Sequence, residues 1–92
     1  MAYRWLEIAF RLIAARGIEP HEVIQVLNGP VRRPVLAYSP EGVRLLTIWG
    51  RTNAGRPLIV TVRLAGRDGT IVGAKDMTAA EKEVFEAWET SR

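Results

Sequence analysis

The apolar pattern of this chain changes period at Pro34 and returns to helical spacing after Thr78, and those changes restrict it to an α+β arrangement. Before Pro34, the residues Trp5, Ile8, Ala9, Leu12 and Ile13 recur at helical spacing, with Arg4, Glu7 and Arg11 off the stripe. Gly17 follows them where a left-handed glycine would end a helix. Pro20 suits the first turn of a second helix carrying Val23, Ile24 and Leu27, and Asn28-Gly29-Pro30 closes it. After Pro34, residues 35–38, 43–49, 58–64 and 70–74 are rich in Val, Ile, Leu, Thr and aromatics and read as strands. Ser39-Pro40-Glu41-Gly42 and Arg67-Asp68-Gly69 are turn signals, and residues 50–56 form a longer loop. Connections this short imply sequential antiparallel pairing, with Pro34 and Pro57 at strand starts. Thr78-Ala79-Ala80-Glu81 matches a capping box ahead of a last helix with Ala80, Val84, Ala87 and Trp88 on its apolar stripe. The expected fold is therefore two N-terminal helices, a three- to four-stranded antiparallel meander and a C-terminal helix packed on the sheet. Helices on one face of that sheet would bury all three stripes in a single domain spanning residues 1–92.

Composition removes several function classes. The chain has no cysteine, which excludes disulfide scaffolds, thiolate metal sites and cysteine nucleophiles. No apolar run approaches the ~20 residues of a membrane span, and the N-terminus lacks a signal-peptide pattern, so a cytoplasmic protein with no membrane partner is expected. His21 is the only histidine and has no recognisable ligand set around it, so no metal is expected. The glycines at 50 and 55 lack the spacing and the following Lys-Ser or Lys-Thr of a phosphate loop, and no small-molecule cofactor is expected.

Charge is distributed unevenly. Residues 1–30 are neutral, residues 31–75 carry +6, and residues 76–92 carry −3, within a net charge of +3. A basic block within the strands points to an anionic partner, and RNA fits it best. Alternation along residues 58–65 puts Leu58, Val60, Val62 and Leu64 on a core face and Ile59, Thr61, Arg63 and Ala65 on an open one. On the preceding strand, either Leu45, Thr47 and Trp49 or Arg44, Leu46 and Ile48 join Arg63. Arg51 and Lys75 end their strands. Cations around an open sheet face suit phosphates, and Trp49 or Tyr38 offers a ring on which a base can stack. Cleavage of RNA without metal needs such cations to stabilise the phosphorane, together with a base and an acid. The patch contains no evident base.

Three stretches resemble the BrnT-like toxins. Arg16-Gly17-Ile18-Glu19-Pro20-His21-Glu22-Val23 is similar to their "His-Gly-Ile, then helix" segment. Gly50-Arg51-Thr52 with Gly55-Arg56-Pro57-Leu58-Ile59-Val60 resembles their central hairpin. Residues 71–85, Ile71 to Phe85, resemble their closing strand, short turn and Thr-capped helix. The resemblance implies a RelE-like fold, within the RelE/ParE-like superfamily of type II toxins. It implies a metal-independent ribonuclease acting on free RNA or at the ribosome, and a cognate antitoxin protein as partner. Arg51, Arg63 and Lys75, with Arg44 as a fourth, would then hold phosphate or stabilise its transition state. Arg56 and Trp49 would add RNA contacts, and Glu81 would serve as a cap. This chain departs from the family pattern at Lys75 and Phe85, where Arg and Tyr are usual, and at Arg16, where His is usual. Its Arg44 lies six residues before Gly50 instead of five, an offset that one bulge in the strand would absorb. The alternative is a non-catalytic module that binds RNA or protein through the same face.

Overall fold

The change of period at Pro34 appears in three dimensions as helices stacked on a sheet, in a computed structural model that describes residues 2–92. The elements run β1 (Tyr3–Trp5), α1 (Glu7–Ala14), α2 (Pro20–Asn28), β2 (Arg32–Tyr38), β3 (Arg44–Arg51), β4 (Pro57–Ala65), β5 (Asp68–Asp76) and α3 (Ala79–Ser91). All strands join one sheet in the order β1-β5-β4-β3-β2. β2 to β5 form the antiparallel meander, four strands long. The sheet is nevertheless mixed, because β1 adds a fifth strand parallel to β5, with Tyr3, Arg4 and Trp5 opposite Gly69, Thr70 and Ile71. Trp5 thus belongs to a strand and not to the first helix. Leu6 makes the transition, its N–H donating to Ile71 O at 3.0 Å.

Each helix ends for a local reason. Gly17 is left-handed at φ 69°. Its N–H donates to Ala14 O and that of Ile18 to Ile13 O, the paired bonds of a Schellman end. Pro20 starts α2, where the Glu22 carboxylate accepts from Glu19 N–H at 2.9 Å. Thr78 caps α3 reciprocally: Glu81 N–H donates to Thr78 Oγ1 at 3.1 Å and Thr78 N–H to Glu81 Oε1 at 2.9 Å. Thr78→Ala should cost about 1 kcal/mol and lower Tm by roughly 4–8 °C. A thermal melt unchanged within error would show that α3 is held by packing alone.

The helices lie on both faces of the sheet, not on one. α1 and α2 bury Ile13, Val23, Val26 and Leu27 against Ile48, Leu58, Val60, Val62 and Ile71. α3 buries Phe85 on the opposite face with Ile59 and Met77, flanked by Trp49 and Trp88. Ile59 is the residue that decides this, since its apolar side chain on the polar parity of β4 gives α3 a seat. The α1 stripe is narrower than its periodicity suggests: Ala9 and Ile13 are buried, while Ile8 and Leu12 remain 52% and 46% exposed. Gly50 lets α2 approach β3, because a Cβ there would lie 3.1 Å from Val26 Cγ1. Pro34 is the third residue of β2, not its first; β2 is an edge strand, where a missing donor is tolerated. β3 runs on through Gly50 and Arg51, which shortens the loop before β4.

Candidate nucleic-acid interface

Register alone lays out the sheet face opposite α1 and α2. Side chains paired across antiparallel strands share a face. One row across the sheet is therefore Arg4, Thr70, Arg63, Leu45 and Ala37. The next is Gly73, Thr61, Thr47 and Val35, and the third is Lys75, Ile59, Trp49 and Arg33. Leu45, Thr47 and Trp49 are thus the set that joins Arg63. α3 covers Ile59 and Trp49 of the third row and beyond it Arg51. The uncovered part is floored by Thr47, Thr61 and Thr70, with Arg4, Arg63, Arg33 and Lys75 around it.

Lys75 reaches this face through a bulge in β5. Val62 pairs with Ile71 but Thr61 pairs with Gly73, leaving Val72 as the extra residue. Ile71 points into the core, and strict alternation would send Lys75 there too. The bulge reverses the parity, so Ala74 enters the core and Lys75 faces outward.

Carboxylates already hold three of the expected cations. Arg51 Nε and Nη2 donate to Glu89 at 3.1 Å, and Nη2 also reaches Glu86 at 3.3 Å. Bonding to Glu89, with Glu86 adding to it, raises the Arg51 pKa further. Lys75 Nζ donates to both oxygens of Glu81, at 2.8 and 2.9 Å. The Lys75 bonds, then the Thr78 N–H, hold Glu81 below the usual carboxylate range. Glu81 is thus a cap and also the counter-ion of Lys75.

Arg56 lies on the other side of the sheet edge. It donates to Asp76 at 2.8 and 2.9 Å, to Glu22 at 3.1 Å and to the carbonyls of Gly17 and Arg16. It clamps α2 and the helix–helix turn to the end of β5 and does not line the open face. Arg44 is also misplaced for the expected role. Its register partner is Tyr38, and its parity is that of Ile48, so it projects from the α1–α2 face. β3 pairs without interruption from Leu45 to Arg51, so no bulge absorbs the offset before Gly50. Tyr38 shares the α1–α2 side, away from Arg63. Trp49 is on the open face but engaged: Nε1 donates to Thr47 Oγ1 at 3.1 Å, and the Arg33 guanidinium sits 6.0 Å from its ring.

The structure thus brings Arg63, Lys75, Arg51 and Trp49 to one face and leaves Arg56 and Arg44 off it. It adds Arg33 and Arg4, which the sequence reading missed. Arg33 pairs with Trp49 in a strand that begins earlier than its apolar run. Arg4 arrives on β1, where it meets Asp68 at 3.7 Å with both side chains largely exposed. Arg33 and Arg63 make no ion pair with any described acid. Among the described residues, no group of three His, Cys, Asp or Glu side chains is placed to hold a metal, and no helix is long and apolar enough to cross a membrane. No family model matches the chain, and no curated protein matches it.

Proposed function

We propose that this chain is the toxin component of a type II toxin–antitoxin pair of the BrnT-like group, with a RelE-like fold, acting in the cytoplasm on RNA through the open sheet face. The observation that carries the reading is the ring of Arg4, Arg33, Arg63 and Lys75 around a floor of threonines. Cations there neutralise phosphates, and the hydroxyls of Thr61 and Thr70 supply donors to phosphate or sugar oxygens, while that of Thr47 already donates to Val35 O. The order of helix pair, meander and Thr-capped helix also supports it, being the order the family resemblance implies. Cleavage would proceed by attack of a 2′-oxygen on the adjacent phosphorus, with departure of the 5′-oxygen and a cyclic phosphate left behind. Lys75 and Arg63 would stabilise the charge on the phosphorane. A cognate antitoxin would present acids to Arg33 and Arg63.

Binding without cleavage is the second reading, and the Glu81 environment favours it. A general base works best with a pKa near the operating pH. Lys75 moves Glu81 the other way, and Glu86 and Glu89 occupy Arg51. Incubation of RNA with the protein in EDTA separates the two readings. Cyclic phosphate ends that disappear in Lys75→Ala, with growth arrest on expression, support the nuclease. Salt-dependent binding with intact RNA supports the binder, and the absence of both cleavage and binding sinks the RNA assignment altogether.

Arg63→Ala gives a sharper check of the face. Arg63 is exposed and bonded to no described side chain, so stability should change by less than about 0.5 kcal/mol. The slope of log K against log salt should fall by about 1, as expected on losing one phosphate contact. An unchanged slope would place the RNA elsewhere.

A further inference from the structure

We infer that a cleft at the uncovered edge of β5 is a second phosphate site, taking one phosphodiester of an RNA strand that continues off the open face. β1 pairs with β5 only from Gly69 to Ile71, so the edge beyond Ile71 has no neighbouring strand. There the end of α1 and the β5 bulge enclose a cleft of about 290 Å³, lined by Leu12, Arg16, Thr61, Val72, Gly73, Ala74 and Lys75. Its chemistry is that of an oxyanion site. Arg16 is exposed and makes no ion pair with any described acid. Asp76, a nearby acid on which the Arg16 charge acts, already binds Arg56 through both oxygens. Thr61 keeps a half-buried hydroxyl with no described side-chain partner, and Gly73 opposite it leaves open space where a Cβ would stand. Lys75 contributes an ammonium held by Glu81 at the boundary with the open face.

Position makes this a subsite of an extended ligand. Thr61 and Lys75 belong both to the cleft and to the open face, so a strand crossing Arg63 and Thr61 can pass over Gly73 to Arg16. The bulge at Val72 creates this continuity, since it turns Lys75 outward while leaving the outer edge unpaired. Arg16 supplies the planar fork that a phosphate group accepts best. The inference rests on the RNA reading above, and it names the side from which the strand enters or leaves.

Two probes test it, inorganic phosphate and hexauridylate, each titrated into isotopically labelled protein and followed by amide shifts. Phosphate should shift Val72 to Lys75 saturably, and Arg16→Ala should weaken that binding roughly tenfold, with partial recovery in Arg16→Lys. Hexauridylate should bind Arg16→Ala more weakly than wild type, with a salt slope lower by about 1, while Arg44→Ala on the opposite face binds as wild type. If hexauridylate binds equally to wild type and Arg16→Ala, the cleft assignment is overturned and the open-face reading stands. If phosphate shifts Val72 to Lys75 but hexauridylate does not bind, the anion site stands and its assignment to RNA is overturned. If phosphate leaves these amides unmoved, the site does not exist.

Discussion

Phe85→Ala is expected to destabilise the fold by about 3–5 kcal/mol, lowering Tm on the order of 15–30 °C. Phe85 is fully buried and is the buried residue of α3, meeting Ile59 on the sheet, Met77 just after β5 and Trp88 at a centroid distance of 5.6 Å. No other α3 side chain reaches as deep, so its loss leaves a cavity beneath the helix. Phe85→Leu should recover most of the stability, because it refills the volume. A melt of Phe85→Ala within about 1 kcal/mol of wild type would mean that the ion pairs of Arg51 and Lys75 hold the helix unaided. Loss of α3 has a second expected sign. Where α3 detaches while the sheet stays folded, Glu81, Glu86 and Glu89 leave with it, so RNA binding by that species should tighten, which a filter-binding series at low temperature would reveal.

Arg56→Ala carries the next largest effect, about 2–3 kcal/mol, with Tm falling by roughly 8–20 °C. The guanidinium joins Asp76, Glu22 and two carbonyls from separate parts of the chain, and its removal leaves the part-buried Glu22 carboxylate without that donor and unties the exposed Asp76 carboxylate and the two carbonyls from one another. Arg56→Lys should recover less than half, since an ammonium cannot satisfy that fork. The cluster also sets acid sensitivity. The Arg56 bonds hold the Asp76 carboxyl below its usual range, while the Glu19 N–H, then the Arg56 charge, do the same for Glu22. Groups with depressed folded pKa values stabilise the fold above their unfolded values and lose that contribution as pH falls through the folded ones. Wild type should therefore lose stability below about pH 4, whereas Arg56→Ala should show a shallower loss over the same window. Parallel acid titrations of the two proteins, followed by circular dichroism, would refute the clamp if the slopes coincide.

Most elements are legible in the sequence because their signals are local. Thr78 and Glu81 cap a helix whatever packs on it, and Gly17 ends one because few other residues adopt its conformation. β1 is not legible. Three residues with arginine at the centre carry no periodicity, and their partner strand lies at the far end of the meander. The side chosen by α3 was hidden for a different reason. Ile59 on the polar parity of β4 marks a second buried face, yet one isoleucine among open positions reads equally well as scatter. Of the site, Arg63 was legible from alternation on a single strand. Lys75 lies on the right face only because of the bulge at Val72, which Gly73 beside it hints at without fixing its register. Arg51 and Lys75 were identified as cations, but their acid partners on α3 depend on a packing that alternation does not reveal.

The parallel pairing of β1 with β5 has a consequence for the order in which this chain can assemble. Tyr3 to Trp5 are synthesised well before the strand they join, which follows α1, α2 and three further strands. The β2–β5 meander needs only hairpin closures and can form by neighbour-to-neighbour zipping, while β1 must wait for a contact spanning most of the chain. Docking of β1 then carries α1 onto the sheet, because Leu6 is already bonded to Ile71 where the strand gives way to the helix. Sheet completion and closure of the α1 side of the core are thereby one late step. Until it occurs, the whole outer edge of β5 is open to pairing with another chain.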